Sequence, residues 1–323
     1  MKKEYVLGID LGGTNIRGAA VGAKGNIWEI LILPTETVRG RKQVVGNLSR
    51  LIKALRRKIT PKENNLLGVG IGAAGGILQR EGIISQSPNI SPLDGFRLRE
   101  HLEKEFRLPV FLENDANCGA LGEKWVGAGR GVNDLGLITL GTGVGGGLIL
   151  GGKLLRGIDG TAGEIGHTTI NSEGPECLCG SRGCLEVYSS ATAIVRRLKE
   201  EVSRGEKTQL VGRQGRRLDR ITSKDIHQAA LAGDRLSRRL FREMGRYLGI
   251  GIANLINILN LEMVVIGGGV SGAWELFMPT MKKEVRKRAF RVPARRVKIL
   301  KSRLGVNAGL LGAASLVWQG AVE

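Results

Sequence analysis

Two stretches of the chain, residues 5–21 and 135–150, share one plan. Tyr5–Asp10 is a short apolar run that ends in a carboxylate and meets Gly12-Gly13-Thr14 at once, after which Ile16–Val21 leads back. Leu135–Leu140 likewise meets Gly141-Thr142-Gly143, and Gly147–Leu150 leads away. A strand that turns directly into another strand excludes the dinucleotide-binding βαβ unit, which needs a helix N-terminus behind its glycines to face a pyrophosphate. Gly70-x-Gly72-x-x-Gly75 and Gly141-x-Gly143-x-x-Gly146 match that fingerprint in letters only, because each runs into another apolar strand. No G-x-x-x-x-G-K-[ST] is present, so a P-loop is excluded as well. What remains is a fold of two halves built on one plan. Each half carries a turn whose glycines let backbone N–H groups approach phosphate oxygens, with a threonine hydroxyl as a further donor. Asp10 stands where a strand-end carboxylate holds Mg²⁺ directly or through water. A third glycine turn, Gly267 to Gly269, follows the apolar run Glu262–Ile266.

The length, 323 residues, exceeds what one hydrophobic core usually supports and agrees with two domains. Fifty glycines are about twice the usual share, without a collagen period, which predicts tight turns and backbone held close to a ligand. The longest uncharged run, Leu135–Gly152, is too rich in glycine for a membrane span, and Asp10 interrupts any signal-peptide core. The cytoplasm is therefore the expected compartment. The net charge is +19, but Lys282–Arg303 alone holds eleven Lys or Arg against one Glu. A second basic cluster spans Arg196–Arg220. Aromatic residues make up only 4% of the chain, and Phe290 alone falls within these clusters, too few for the stacking platform that base binding requires. Solvated basic faces are expected, not a nucleic-acid surface.

Helical periodicity marks Arg39–Ile59, with Val44, Val45, Leu48, Leu51, Ile52 and Leu55 on one face. Further helices are expected over 115–125, 187–204, 223–231, 237–259, 271–289 and 308–317, with Thr222 and Asp225 as a capping box for the third. Strands are expected over 66–73, 109–113 and 297–300. The class is α/β with mixed sheets. In Leu112-Glu113-Asn114-Asp115-Ala116-Asn117 a strand yields to a helix, and a carboxylate there either caps the helix or does chemistry. Three of the four cysteines fall within eight residues: Cys177, Cys179 and Cys184 follow His167. One imidazole and three thiolates are the closed four-coordinate set of a structural zinc site. Cys118 reads as a small buried apolar residue.

Taken together, these segments resemble the ROK family of sugar kinases and sugar-responsive repressors. The resemblance is carried by Asp10-x-Gly-Gly-Thr-x-x-Arg17, Glu113-Asn-Asp-Ala-Asn117, Gly141-Thr-Gly-Val-Gly-Gly-Gly147, Glu164-Ile-Gly-His167 and Cys177-x-Cys-Gly-x-x-Gly-Cys-Leu-Glu186. It implies an actin/hexokinase-like (ribonuclease H-like) fold of two α/β domains around a cleft. Residues 1–112 with 304–323 would form the small domain, and 113–303 the large one with the zinc loop. It implies ATP-dependent phosphorylation of a hexose primary hydroxyl, D-glucose before N-acetylglucosamine, N-acetylmannosamine or mannose. Asp115 would be the general base. Gly75, Asn89, Asn114, Glu164, His167 and Glu186 would bind the sugar, a donor and acceptor set suited to a polyol. ATP and Mg²⁺ would lie against Asp10, Gly12, Gly13, Thr14, Thr142 and Gly143, with Gly268 and Gly269 at the adenosine. Structural Zn²⁺ would sit on His167, Cys177, Cys179 and Cys184, and the enzyme would be a homo-oligomer, dimer or tetramer. The family's repressors carry a DNA-binding segment ahead of the kinase-like region. The first phosphate turn at residue 10 leaves no room for one, so the kinase reading leads.

Overall fold

The computed structural model describes residues 3–59, 64–211 and 218–320. Strand β1 (Lys3–Leu11) pairs antiparallel with β2 (Asn15–Gly22), and β2 pairs antiparallel with β3 (Ile27–Pro34), the meander expected from the sequence. Side chains alternate across a strand, so Leu7, Ile9 and Leu11 leave one face of β1. There they share a buried cluster with Leu48, Leu51, Ile52 and Leu55 of helix α1 (Arg41–Lys58). Strand β4 (Asn64–Ala73) lies parallel to β1. A hairpin of β5 (Gly76–Leu78) and β6 (Ile83–Gln86) and helix α2 (Leu98–Phe106) follow. Neither is visible in the sequence, because strands of three and four residues and a nine-residue helix hold too few repeats for a period to show. Strand β7 (Val110–Asn114) then runs parallel to β4.

Helix α3 (Asp115–Val126), β8 (Leu135–Leu140), β9 (Val144–Leu150) and β10 (Lys153–Leu154) come next. The expected helix over 187–204 is two helices, α4 (Glu186–Ser189) and α5 (Ala191–Ser203). Ser190 interrupts them because its hydroxyl accepts the N–H of Ala193 and caps α5. Helix α6 (Ser223–Leu231) carries the Thr222–Asp225 capping box, and α7 (Arg235–Leu259) leads to β11 (Met263–Gly267). Helix α8 (Trp274–Arg288), α9 (Arg291–Arg296), β12 (Lys298–Lys301) and α10 (Ala308–Gly320) complete the chain. The basic segment 282–303 thus covers the end of α8, then α9 and β12. Arg286, Lys287 and Arg288 occupy the last turn of α8, where the helix dipole favours cations.

The two sheets run β3-β2-β1-β4-β7 and β10-β9-β8-β11-β12. Each sets its third, second, first, fourth and fifth strand side by side, so the internal repeat read from the sequence is a repeat of topology. The chain divides into two compact units, Met1–Leu137 with Gly147–Gly163 and Ser302–Glu323, and Ile138–Gly146 with Glu164–Lys301. A boundary at 112 falls just ahead of α3, which belongs to the first unit because it packs on α10. Buried Glu123 of α3 ties the return segment down, accepting from the Ser302 hydroxyl at 2.6 Å and the Leu304 N–H at 3.0 Å.

Much of the glycine excess serves packing of backbone on backbone. A Cβ on Gly8 of β1 would lie 2.2 Å from the carbonyl oxygen of Leu310, and one on Gly70 of β4 would lie 1.8 Å from that of Ala313. A Cβ on Gly312 would meet the Cys118 carbonyl oxygen at 1.5 Å. Glycines at these points let α10 settle directly on β1, β4 and α3, where Val6, Ala19, Val21, Leu310, Leu311, Ala314 and Val317 form a second core. The expectation of tight turns holds at positions such as Gly25 and Gly180, both at positive φ, and helix-on-sheet packing is a second use of glycine that composition did not announce. Gly312→Ala is expected to destabilise by about 1–3 kcal/mol, the usual cost of overpacking a core, read as a lower urea midpoint at unchanged slope.

Candidate active site

In the first unit, Asp10 stands opposite Gly72 of β4, and Gly72 stands opposite Glu113 of β7. Asp10 and the Glu113–Asp115 segment therefore lie at the C-terminal ends of adjacent parallel strands, where open α/β sheets gather their ligands. The Gly12–Thr14 turn between β1 and β2 is pinned. Gly12 donates to the Asn15 carbonyl at 3.1 Å, and Thr35 donates its hydroxyl to the Gly12 carbonyl at 2.6 Å and its N–H to that of Thr14 at 2.9 Å. Asn89 comes against the same turn, since a Cβ on Gly13 would sit 2.7 Å from its carbonyl oxygen. Asn114 is the N-cap of α3, accepting from the N–H groups of Ala116 and Asn117, and it donates from Nδ2 to the Gly75 carbonyl at 3.0 Å. Gly75 has φ +107°, which favours glycine. The structure thus joins Asn89 to the first turn and Asn114 to Gly75.

Asp115 keeps exposed surface, yet the protein around it desolvates its carboxyl and raises the pKa. The Ala116 N–H, 2.8 Å from Oδ1, acts in the opposite sense. Asp10 is raised to about 6 by desolvation and by the Asp115 charge, against the pull of Arg17, its cross-strand partner on β2. A carboxyl with a raised folded pKa favours folding at low pH and loses that advantage as pH rises from about 4 to about 6. Asp10→Asn is therefore expected to raise the Tm of ligand-free protein at pH 7.5, by at most about 3 kcal/mol of stability. The gain should disappear near pH 4, and a melting series over that range checks it. Equal Tm values at every pH would show that the Asp10 carboxylate carries no such penalty.

Behind Asp115 lies a buried ion pair that sequence reasoning does not find. Glu113 is 1% exposed and accepts from Arg156 Nε at 2.7 Å on Oε2. Its Oε1 accepts from Asn117 Nδ2 at 3.0 Å and from the Asn114 N–H at 2.9 Å. A carboxylate in the apolar strand Val110–Asn114 signals a buried partner. The partner, 43 residues further on, is not readable from spacing.

In the second unit, the turn after β8 is braced from α5. Ala191 donates its N–H to the Gly141 carbonyl and Thr192 its hydroxyl to that of Thr142, both at 2.8 Å. Glu186 reaches this turn too, its Oε2 accepting the Val144 N–H at 2.8 Å; a Cβ on Gly143 would lie 2.3 Å from the same oxygen. Gly268 has φ +82°, and a Cβ there would meet the Leu140 carbonyl oxygen at 2.4 Å, so the third glycine turn abuts the second. Gly269 and Thr142 stay exposed.

The cysteine loop folds as a tight hairpin. Cys177 donates its N–H to the Ser181 carbonyl at 2.8 Å, Gly180 has φ +90°, and Thr169 and Cys184 form a bridge that returns the chain to His167. The donor atoms of His167, Cys177, Cys179 and Cys184 all lie within 4.8 Å of one another. Thiolates around a tetrahedral ion with ~2.3 Å metal–sulfur bonds lie ~3.8 Å apart; Cys179 and Cys184 are 3.7 Å apart. The set could hold a metal ion. His167 turns Nδ1 to Cys177 at 3.6 Å and Nε2 toward Glu164 at 4.0 Å, so one imidazole has a thiolate side and a side facing a second polar group. Glu164 itself is exposed. Burial and the neighbouring thiols push Cys184 up to about 12, while the Ser181 N–H draws Cys179 down to about 7.

Two sheets of one strand order, with glycine turns at the strand ends, define an actin/hexokinase-like α/β fold. The chain belongs to the ROK family, whose model matches residues 6–320. It is 39% identical to a glucokinase of Halalkalibacterium halodurans over 99% of this chain and 96% of that protein. It is also 36% identical to a xylose repressor of Caldicellulosiruptor bescii, over 97% of this chain and 77% of the repressor. Among solved structures, a ROK family glucokinase from Streptomyces griseus in complex with glucose and AMPPNP matches with a TM-score of 0.83 and 35% identity. That match covers 98% of this chain and 100% of the neighbour.

Proposed function

We propose that this protein is an ATP-dependent hexose kinase that transfers the γ-phosphoryl group to a hexose primary hydroxyl, D-glucose being the first candidate. The observation that carries the reading is the Asp115 carboxyl, raised in pKa, at the same end of the parallel strands as Asp10 and the Gly12–Thr14 turn. Full-length likeness to glucokinases supports it. Phosphoryl transfer depends on positioning and charge stabilisation more than on covalent chemistry. Asp115 accepts the hydroxyl proton as the oxygen attacks phosphorus. Gly75, Asn89, Asn114, Glu164, His167 and Glu186 are, on this reading, the residues that recognise sugar hydroxyls. Gly12, Gly13, Thr14, Thr142 and Gly143 offer donors to phosphate oxygens, and Gly268 and Gly269 leave space for adenosine. Asp10 is the residue to hold Mg²⁺, which when bound neutralises phosphate charge.

The metal of the cysteine loop is zinc on this reading, because a closed Cys₃His set suits it. With Nδ1 given to the metal, Nε2–H of His167 remains a donor for a sugar hydroxyl. The cytoplasm, where ATP is plentiful, is the compartment this reading requires; no helix among the described residues is long and apolar enough to cross a membrane. We also propose a homo-oligomer, for which the exposed Phe290 and Val292 offer an apolar contact.

An ADP-release assay over glucose, mannose, N-acetylglucosamine and N-acetylmannosamine tests the activity, with the highest kcat/KM expected for glucose. The xylose repressor relative favours a second reading, a sugar-responsive regulator. Sugar binding with no phosphoryl transfer to any of the panel would decide for it. Glu186 offers a sharper test. Gln keeps an oxygen for the Val144 N–H but presents an NH₂ where the free carboxylate oxygen was. Glu186→Gln is expected to change the ranking of glucose against its epimers by about tenfold or more, the scale of a lost sugar hydrogen bond. The KM for ATP should move less. A fixed sugar ranking with collapsed ATP affinity would place Glu186 with the nucleotide instead.

A further inference from the structure

The second unit holds a cavity of about 1060 Å³, and none of the residues proposed above for nucleotide, sugar or zinc lines it. Its cations are Arg204 and Lys207, just past α5, and Arg235, Arg238, Arg239 and Arg242 along one face of α7. Among the described residues, the only carboxylates in the lining are Glu206 and, from α8, Glu275. Some of this charge is accounted for: Arg239 pairs with Glu201 and Glu206, Arg204 pairs with Glu201, and Arg238 donates to the Ala230 carbonyl. Lys207, Arg235 and Arg242 have no ion-pair partner among the described residues.

Helix stability does not explain why arginines crowd this face. The buried N-cap carboxylate of Asp234 is taken up by the N–H groups of Ser237 and Gln209, and Arg235 and Arg238 follow in a first turn with no acidic residue, where cations oppose the helix dipole. In α8, by contrast, Arg286, Lys287 and Arg288 sit in the last turn, where the dipole favours them. Arginines on a solvated face would also be expected on a convex surface, not gathered around a concavity of nucleotide-sized volume. Guanidinium groups pair bidentately with phosphate oxygens, and clustered cations in a concave site concentrate anions.

We propose that this cavity is a second ligand site, one that takes a compact cluster of phosphate groups. The site is the cavity and its unpaired cations, and it stands independently of hexose phosphorylation. Two sources share that chemistry, a small metabolite carrying two or more phosphates and a linear polyphosphate chain. Calorimetric titration with tripolyphosphate at about 150 mM KCl, near physiological ionic strength, with magnesium and saturating AMPPNP present, tests it. Saturable binding is expected, weakened about tenfold or more in the Arg235→Glu/Arg242→Glu double variant and restored to within about threefold in the Lys/Lys variant, which keeps both charges. Should the Glu variant fold poorly by its melting curve, the Gln/Gln variant takes its place, with the same loss expected.

Parallel titrations with a hexose bisphosphate and with long-chain polyphosphate separate the two sources. Arginine-dependent binding of the bisphosphate indicates a metabolite, and dependence on chain length indicates polyphosphate. Absence of saturable tripolyphosphate binding overturns the proposal, as does binding that the Glu and Gln variants leave unchanged. Equal affinity for a single-stranded oligonucleotide of matched charge does so too, because the cations would then be a general polyanion surface. Loss of AMPPNP binding in wild type would count against the nucleotide assignment above and leave this arginine dependence readable.

Discussion

Asp115→Asn is expected to lower kcat by ~10²–10⁴-fold, the usual contribution of a general base, while the protein melts much as wild type does. The structure supplies the reason for that separation. The N-cap of α3 is Asn114, not Asp115, so the substitution leaves the cap in place. The Asp115 side chain accepts the Ala116 N–H on Oδ1 at 2.8 Å, a bond that an amide oxygen also makes. Removing a desolvated carboxylate leaves no buried charge behind. The pH profile gives a second readout: kcat/KM of wild type should rise as Asp115 loses its proton, at a pH above the ordinary carboxylate range because its pKa is raised. That limb should be missing in the variant. A variant that melts normally and keeps more than about a tenth of wild-type kcat would take Asp115 out of the mechanism.

Cys184→Ser is expected to lose about one equivalent of zinc per chain and a large part of the stability of the loop that bears it. Structural zinc contributes folding energy directly, because unfolded chains lack the preformed site. Cys184 is fully buried and lies 3.7 Å from Cys179. Its loss should therefore lower Tm by several degrees, and Cys179→Ser should do so as well. Activity should fall with it, since the loop runs from His167 to within two residues of Glu186. Elemental analysis of purified wild type is the check, with melting curves of both variants beside it. Wild type free of zinc would end the assignment.

Motifs that depend on neighbours along the chain are legible in the amino-acid sequence. The two strand–glycine turn–strand units predict a doubled architecture, and both sheets have the same strand order. The Thr222–Asp225 capping box and the periodic face of α1 are readable for the same reason, since helical contacts join residues three and four apart. The cysteine cluster is readable because its hairpin is short enough for chain proximity to bring four donors together.

Only the tertiary structure decided what residues far apart do for one another. Thr35 reaches back across 23 residues to hold the Gly12 carbonyl, and Glu123 holds Ser302 across 179. Glu113 finds Arg156, and Glu186 is drawn onto the second glycine turn, a placement that no local pattern announces. The glycines of β1, β4 and α10 are the clearest case. Composition marks them as unusual, but only the docking of α10 on the sheet shows that backbone lies where side chains would have been. Local periodicity and turn chemistry are written in short windows of sequence. Ion pairs, domain boundaries and helix-on-sheet contacts depend on long-range packing, whose partners are fixed by the closing of loops and carry no mark on either residue alone.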